Sequence, residues 1–232
     1  MFNKITSNYS IQLSISILLL IFFSIYQINL EDFWFDELLT FWVTNPNTDN
    51  YDTYLNIINE ENTPPLYYFV IKYFFKVFGY DYELLRLTNV FFNIISLLIF
   101  FSILKTFSKD KKFIFLSLIL YSLNYFLISY SQEARVYIFY CLISLCYIKI
   151  YLNIIDNENS IGFFRYLLFI LFSIILINTF LFSFIILGTI VFFEFFYRRN
   201  MKNYYIINLI IFVSTILSIY FNLQFYQSVI NF

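Results

Sequence analysis

Six predominantly apolar stretches constrain this chain more than any other feature: residues 11–30, 84–104, 113–130, 136–155, 166–197 and 204–223. A helix that crosses a bilayer needs ~20 mostly apolar residues, so each stretch is expected to supply membrane helix. The composition closes off the alternatives. Of 232 residues, 61% are hydrophobic and 12% charged, against ~25% charged in ordinary soluble domains. So few charges cannot cover a soluble fold, and so much apolar surface does not stay disordered. Two cysteines and a net charge of −1 exclude a disulfide scaffold and a nucleic-acid binder. The chain has no histidine, which removes histidine catalysis and histidine metal sites. The fold class expected is all-α: a polytopic transmembrane helical bundle, with residues 1–232 forming one domain. The excess of Phe, Tyr, Ile, Asn and Lys is also what an AT-rich genome produces, so no single aromatic carries weight.

The basic residues set the orientation. The stretch 11–30 lacks a small-residue cleavage site and reads as an uncleaved first helix. The stretch 166–197 is long for one crossing and is flanked by Arg165 and by Arg198, Arg199 and Lys202. Both flanks belong on the cytoplasmic side, which requires a hairpin turning near Asn178 and Thr179. Residues 66–78 are too short to span and carry Lys72 and Lys76 on one face, with Leu66, Phe69, Val70, Tyr73, Phe74 and Val77 on another. That pattern predicts a helix lying in the interface, capped by Asn62 or Thr63 with Pro64 and Pro65 in its first turn. If it lies there, Lys105, Lys109, Lys111 and Lys112 fall on the cytoplasmic side together with Arg198, Arg199 and Lys202. The expected topology is seven spans with the N-terminus inside. The outer face then holds the loop 31–83, residues 130–135, the Asn178 turn and the tail after Leu223.

Residues 31–61 of the outer loop hold eight acidic residues, Glu31, Asp32, Asp36, Glu37, Asp49, Asp52, Glu60 and Glu61, and no basic one. Three outer segments concentrate chemistry. The first is Phe33-Trp34-Phe35-Asp36-Glu37. The second is Asn62-Thr63-Pro64-Pro65-Leu66-Tyr67-Tyr68, followed by Gly79 and Arg86. The third is Tyr130-Ser131-Gln132-Glu133-Ala134-Arg135-Val136-Tyr137.

In this order the segments resemble the polytopic glycosyltransferases of superfamily C, the protein mannosyltransferase and aminoarabinose transferase relatives. The likeness covers residues 30–140, with a looser likeness to the end, and departs at Thr63, where the family often has His. It implies transfer of a sugar from a polyprenyl-phosphate donor to a lipid, glycan or protein acceptor on the outer face of the cell membrane. It also implies that the chain corresponds to the N-terminal half of such an enzyme.

The residue chemistry agrees, because ionisable groups at the membrane edge are costly and tend to be functional. Asp36 is the candidate base for the acceptor hydroxyl. Glu37 is a candidate to assist it, by orienting the acceptor or by holding a divalent metal, which the sequence leaves open as the sole cofactor. Arg86, Arg135 and Lys72 are candidates for the donor phosphate. Gln132, Glu133, Tyr137 and Tyr67 are candidates to orient donor or acceptor, and Glu133 is also a candidate partner for Arg135.

Each has a plainer reading. Lys72 and Lys76 suit snorkelling anchors, Arg86 and Arg135 suit headgroup anchors, and Trp34 and Trp42 suit an interfacial belt. Cys141 and Cys146 suit packing, and Glu194, near the inner end of a span, suits snorkelling. Without a Gly-rich phosphate loop or an Asp-x-Asp motif, a nucleotide-sugar donor is disfavoured. A transporter or flippase of lipid-linked sugars is the competing class. It would favour helix breakers or charges at mid-membrane, and the spans contain no proline. An inactive remnant of the transferase is the third reading.

Overall fold

The computed structural model describes residues 8–26, 28, 32–61, 63–156, 162–198 and 204–222. All the regular structure among them is helical. In chain order the helices are α1 (Tyr9–Ile25), α2 (Phe35–Val43), α3 (Asn50–Asn56), a π-helical turn (Ile57–Glu61), α4 (Leu66–Phe78), α5 (Tyr82–Phe107), α6 (Lys111–Ser122) and α7 (Tyr125–Gln132). They continue as α8 (Tyr137–Asp156), α9 (Phe163–Ile177), α10 (Ser183–Tyr197) and α11 (Tyr204–Phe221). Helices α5, α8 and α11 are each long and apolar enough to cross a membrane. Helices α6 and α7 meet that test together, bent by 44°, while α1, α9 and α10 are shorter apolar rods.

Short polar side chains start five of these eleven helices, as their ability to accept a first-turn amide hydrogen predicts. Asn8, Asp49, Asp81 and Asp110 each accept the amide of the residue two positions on. Asn124 accepts the amide of Leu127, three positions on, which explains why the expected single span 113–130 is two helices. Its side chain offers the backbone an alternative to a continuous ladder, and the rod breaks there.

Helix α4 has the bounds expected from sequence, but two expectations about it are corrected. Thr63 does not cap it; its hydroxyl lies 2.7 Å from the Tyr68 hydroxyl. The Leu66 amide instead donates to the carbonyl of Asn178, 3.2 Å away, in the turn between α9 and α10. Asn62 lies outside the described residues. The lysine face is also split, because Lys72 is buried with Tyr67, Tyr68, Ile71 and Phe75 while Lys76, one turn on, is exposed. The apolar stripe read from sequence points outward, half-buried at Leu66, Phe69, Val70 and Phe74 and exposed at Tyr73 and Val77. The helix stops at Gly79, whose φ of 107° is a conformation that glycine adopts without strain.

Between lipid-facing helices, contact depends on close packing and hydrogen bonds, each of the latter contributing about 0.6 kcal/mol. Helix α1 buries Gln12, Ser16, Leu20 and Ser24, one residue per turn. Gln12 donates to the Lys111 carbonyl at 3.1 Å, Ser122 to the Ser16 carbonyl at 2.9 Å, and Ser131 to the Ser24 hydroxyl at 2.9 Å. This seam sets α1 parallel to α6 and α7. On the other side of the bundle Tyr147 of α8 stacks on Phe169 of α9, with ring centroids 4.9 Å apart.

These contacts sort the connections. At one end Arg86 meets the 28–37 segment, Asn89 meets 133–135, Leu66 meets Asn178, and Asn222 donates to the Asn178 side chain at 2.5 Å. At the other end Lys149 reaches Ser102 and Thr106, and Tyr151 reaches Glu194. The described parts of the segments 31–83 and 130–135, and the Asn178 turn, all expected on one face from the sequence, therefore share one end. Glu31, Arg199, Lys202 and the tail after 222 lie outside the described residues.

Candidate functional site

Helix α2 carries Asp36 and Glu37 in its first turn, where the helix dipole favours acidic side chains. The two point to different neighbours. Glu37 is buried, and each of its oxygens accepts two bonds. Oε1 takes Arg86 Nε at 3.0 Å and the Ala134 amide at 2.6 Å. Oε2 takes Arg86 Nη2 at 2.7 Å and the Trp34 amide at 3.2 Å. A carboxylate has about four lone-pair positions, so Glu37 is saturated and does not fit the metal-ligand role. Arg86 also donates to the carbonyl of Ile28 at 2.6 Å and lies over the Phe33 ring at 4.1 Å. The pair is a buried strut between α2, α5 and the 133–136 segment.

Asp36 is exposed and belongs to a second centre. Arg135 Nη2 approaches Asp36 Oδ2 at 3.6 Å, and Nη1 donates to the Asp36 carbonyl at 3.1 Å and to Glu61 Oε2 at 2.8 Å. From sequence, Glu133 is one candidate partner for Arg135; the buried carboxylate that Arg135 meets is Glu61, from the π-helical turn. Tyr68 donates its hydroxyl to Glu61 Oε2 at 2.9 Å, and the Thr40 hydroxyl lies 3.0 Å from Oε1. Burial pushes the Glu61 carboxyl above its ordinary value, while Arg135 and the bonds from Tyr68 and Thr40 pull it down. Burial and then Glu61 raise the Tyr68 hydroxyl well above its usual value, so it remains a donor.

Sequence reasoning counted Glu61 only among the loop acids. Its signal was position: it directly precedes Asn62-Thr63-Pro64-Pro65, and π-turns are frequent at functional sites. Asn89 was also missed. Its amide donates to the carbonyls of Glu133 at 2.5 Å and Arg135 at 2.8 Å, and its oxygen accepts the Tyr67 hydroxyl at 3.4 Å. An asparagine three residues after Arg86 in an apolar helix was the available sign.

The remaining candidates separate. Tyr67 is fully buried beneath the site, so it positions Asn89 and does not reach a ligand. Gln132 donates to the Phe23 and Tyr26 carbonyls at the end of α1, at 3.1 and 2.8 Å. The Tyr137 ring packs between Tyr130 and Phe180, at 4.7 and 5.7 Å, and holds the turn after α9 against the site. Lys72 is not brought to the arginines. Its buried ammonium donates to the Thr48 carbonyl, Asn50 Oδ1 and Thr53 Oγ1 at 2.6, 3.1 and 2.7 Å, pinning α3.

Two clefts open on the Glu37–Arg86 side of the site, both edged by Arg86, and neither is lined by Asp36, Glu61 or Arg135. One, of about 640 Å³, is lined by Asp32, Phe33, Tyr82, Glu83 and Arg86 among others. The second, of about 470 Å³, runs past Tyr26, Trp34, Tyr125, Gln132 and Glu133. Glu133 is half-buried in its wall. Burial, followed by the nearby Glu37, raises its carboxyl above the ordinary value, against smaller lowering by Ser129 and Arg135.

Among the described residues no three His, Cys, Asp or Glu side chains gather as metal ligands. Comparison of the chain with protein families, with curated proteins and with solved structures returns no match.

Proposed function

We propose that this chain is a membrane glycosyltransferase that moves a sugar from a polyprenyl-phosphate donor to a lipid, glycan or protein acceptor at the outer face of the cell membrane. The observation that carries the reading is the convergence of its three chemistry-bearing segments on one spot. Asp36 and Glu37 of the first segment, Tyr68 of the second and Arg135 of the third are tied together through Glu61, which takes both Tyr68 and Arg135, and through Glu37, which takes Arg86 and the Ala134 amide. At that spot an exposed carboxylate stands beside a guanidinium, which is what acceptor activation and phosphate recognition require.

In this reading α1, α5, the bent pair α6–α7, α8, α9, α10 and α11 make seven crossings, with the site at the outer end. Two features support a site at a bilayer surface. The 26-residue helix α5 is about 39 Å long, more than a ~30 Å hydrocarbon core. Trp34, Phe35, Leu38 and Trp42 of the loop are all exposed along one side of α2, suited to an interface. The cleft at Tyr26, Trp34 and Tyr125 lies between the ends of α1 and α7, and a donor tethered by its lipid tail can enter it sideways.

Asp36 takes the acceptor proton, Arg135 meets the phosphate, Glu61 positions Arg135, and Arg86 with Glu37 holds the frame. Transfer from a radiolabelled polyprenyl-phosphate sugar, measured in membranes, tests this. Asp36→Asn keeps the shape and removes the base, so turnover falls ~10²–10⁴-fold. Near-normal transfer by Asp36→Asn removes Asp36 from the mechanism. Absence of transfer by the unmodified chain across a broad donor panel overturns the reading.

A further inference from the structure

Arg135 has two acidic partners of opposite character. The Glu61 side chain is 1% exposed, lies 2.8 Å from Nη1 and is held from behind by Tyr68 and Thr40. The Asp36 side chain is 66% exposed and touches Nη2 at the longer distance of 3.6 Å. Removing Glu61 would leave buried donors unpaired, which is costly. Removing Asp36 from Nη2 exposes a charge that water or another anion can take up. By contrast the side chains of Arg86 and its partner Glu37 are both buried, at 4% and 2% exposure, at the edge of the clefts, and both Glu37 oxygens are already engaged by Arg86. Of these two guanidiniums, Arg135 is therefore the one with an exchangeable anion.

We propose that Asp36 and the phosphate of the lipid-linked donor compete for the Nη2 side of Arg135, so that donor binding itself releases the Asp36 carboxylate for catalysis. This rests on the glycosyltransferase reading and adds an order of events to it. The exchange needs only a side-chain rotation. Arg135 Nη1 also donates to the Asp36 backbone carbonyl at 3.1 Å, so the start of α2 stays in place. The Asp36 oxygen that faced Nη2 becomes free to accept a proton. The acceptor hydroxyl oxygen then bonds to the anomeric carbon as the bond from that carbon to the phosphate oxygen breaks. The electron pair leaves with the phosphate, the hydroxyl proton passes to Asp36, and Arg135 meets the charge on the departing polyprenyl phosphate. Loss of that product and of the proton returns Asp36 to Arg135. A donor-free chain thus keeps its base engaged, which guards against activating water when no sugar is present.

The test is binding of a fluorescent long-chain polyprenyl monophosphate to the full chain in phosphatidylcholine vesicles, alongside the transfer assay. Asp36→Asn, although nearly inactive, should bind the probe roughly two- to fivefold more tightly, the range that an exposed ion pair commands. Asp52→Asn, an exposed loop acid on α3, should bind like the unmodified chain. Arg135→Ala should weaken binding roughly tenfold or more. Because that change strands Glu61, the double change Glu61→Gln with Arg135→Gln serves as its folded counterpart and should lose binding likewise. Equal or weaker binding by Asp36→Asn, when the unmodified chain transfers sugar, overturns the competition and leaves the glycosyltransferase reading standing. An unmodified chain that neither binds the probe nor transfers sugar overturns both.

Discussion

The two ends of the bundle use the same ingredients in different ways. At the end opposite the site, Glu194 pairs with Arg198 at 3.1 Å, four residues along one helix, and takes the Tyr151 hydroxyl at 2.6 Å. At the site end, the carboxylate–guanidinium pairs join residues 49, 74 and 99 positions apart, and the Glu37–Ala134 bond joins residues 97 apart. The local pair needs only a helix, because helical geometry sets side chains four apart on one face. The distant pairs exist only when α2, the π-helical turn, α5 and the 133–136 segment are all in place. Ion pairs at the site end therefore report on tertiary structure, and the pair at the other end mostly on one helix and its neighbour.

The largest expected effect comes from breaking the most deeply shared pair. Arg86→Met leaves Glu37 charged and buried, and should cost about 3–5 kcal/mol, read as a lower midpoint of unfolding in detergent. Adding Glu37→Leu should recover much of that loss, since replacing a whole buried pair by apolar side chains is often neutral. No recovery would mean that the strut does more than neutralise charge. Next is Lys72→Met, which strands the acceptors of Thr48, Asn50 and Thr53 and should cost about 1–3 kcal/mol. Probe affinity of the folded variant should be unchanged; a drop would return Lys72 to the phosphate site. Glu194→Gln, at the other end, keeps acceptors for Tyr151 and Arg198 and should cost about 1 kcal/mol, with transfer unaffected. Reduced transfer would show that the two ends are coupled.

The smallest effect is a pH dependence. Glu61 has a folded-state carboxyl raised above its ordinary value, chiefly by burial. The folded chain thus binds this proton more readily than the unfolded chain. The associated stability is fully present below the ordinary carboxylate value and is lost as pH rises through the raised one. The stability of the unmodified chain relative to Glu61→Gln should therefore fall as pH rises from about 4.5 toward neutrality. A difference that rises over this window would show that Arg135 outweighs burial.

Much of the architecture was readable before any contact was known. The apolar runs located the membrane-type helices, α4 was placed over Leu66–Phe78, and the turn at Asn178 and Thr179 was placed in the long run 166–197. The segments holding Asp36 and Arg135 were also singled out. What escaped was pairing. Arg86 and Arg135 look alike in sequence, yet one is buried with Glu37 and the other keeps an exposed partner. Glu61 sat unmarked among loop acids, and Lys72 carried the pattern of a surface lysine while being buried.

The sequence by itself determined where helices form and which segments are rich in charge. Apolar length and short capping side chains act within a few residues, and lipid or protein burial rewards the same pattern wherever the helix ends up. Only the tertiary structure decided which carboxylate meets which guanidinium. Each charge had several oppositely charged groups available along the chain. The choice among them followed from helix packing, which buried Glu37 and Glu61 with their arginines and left Asp36 at the surface.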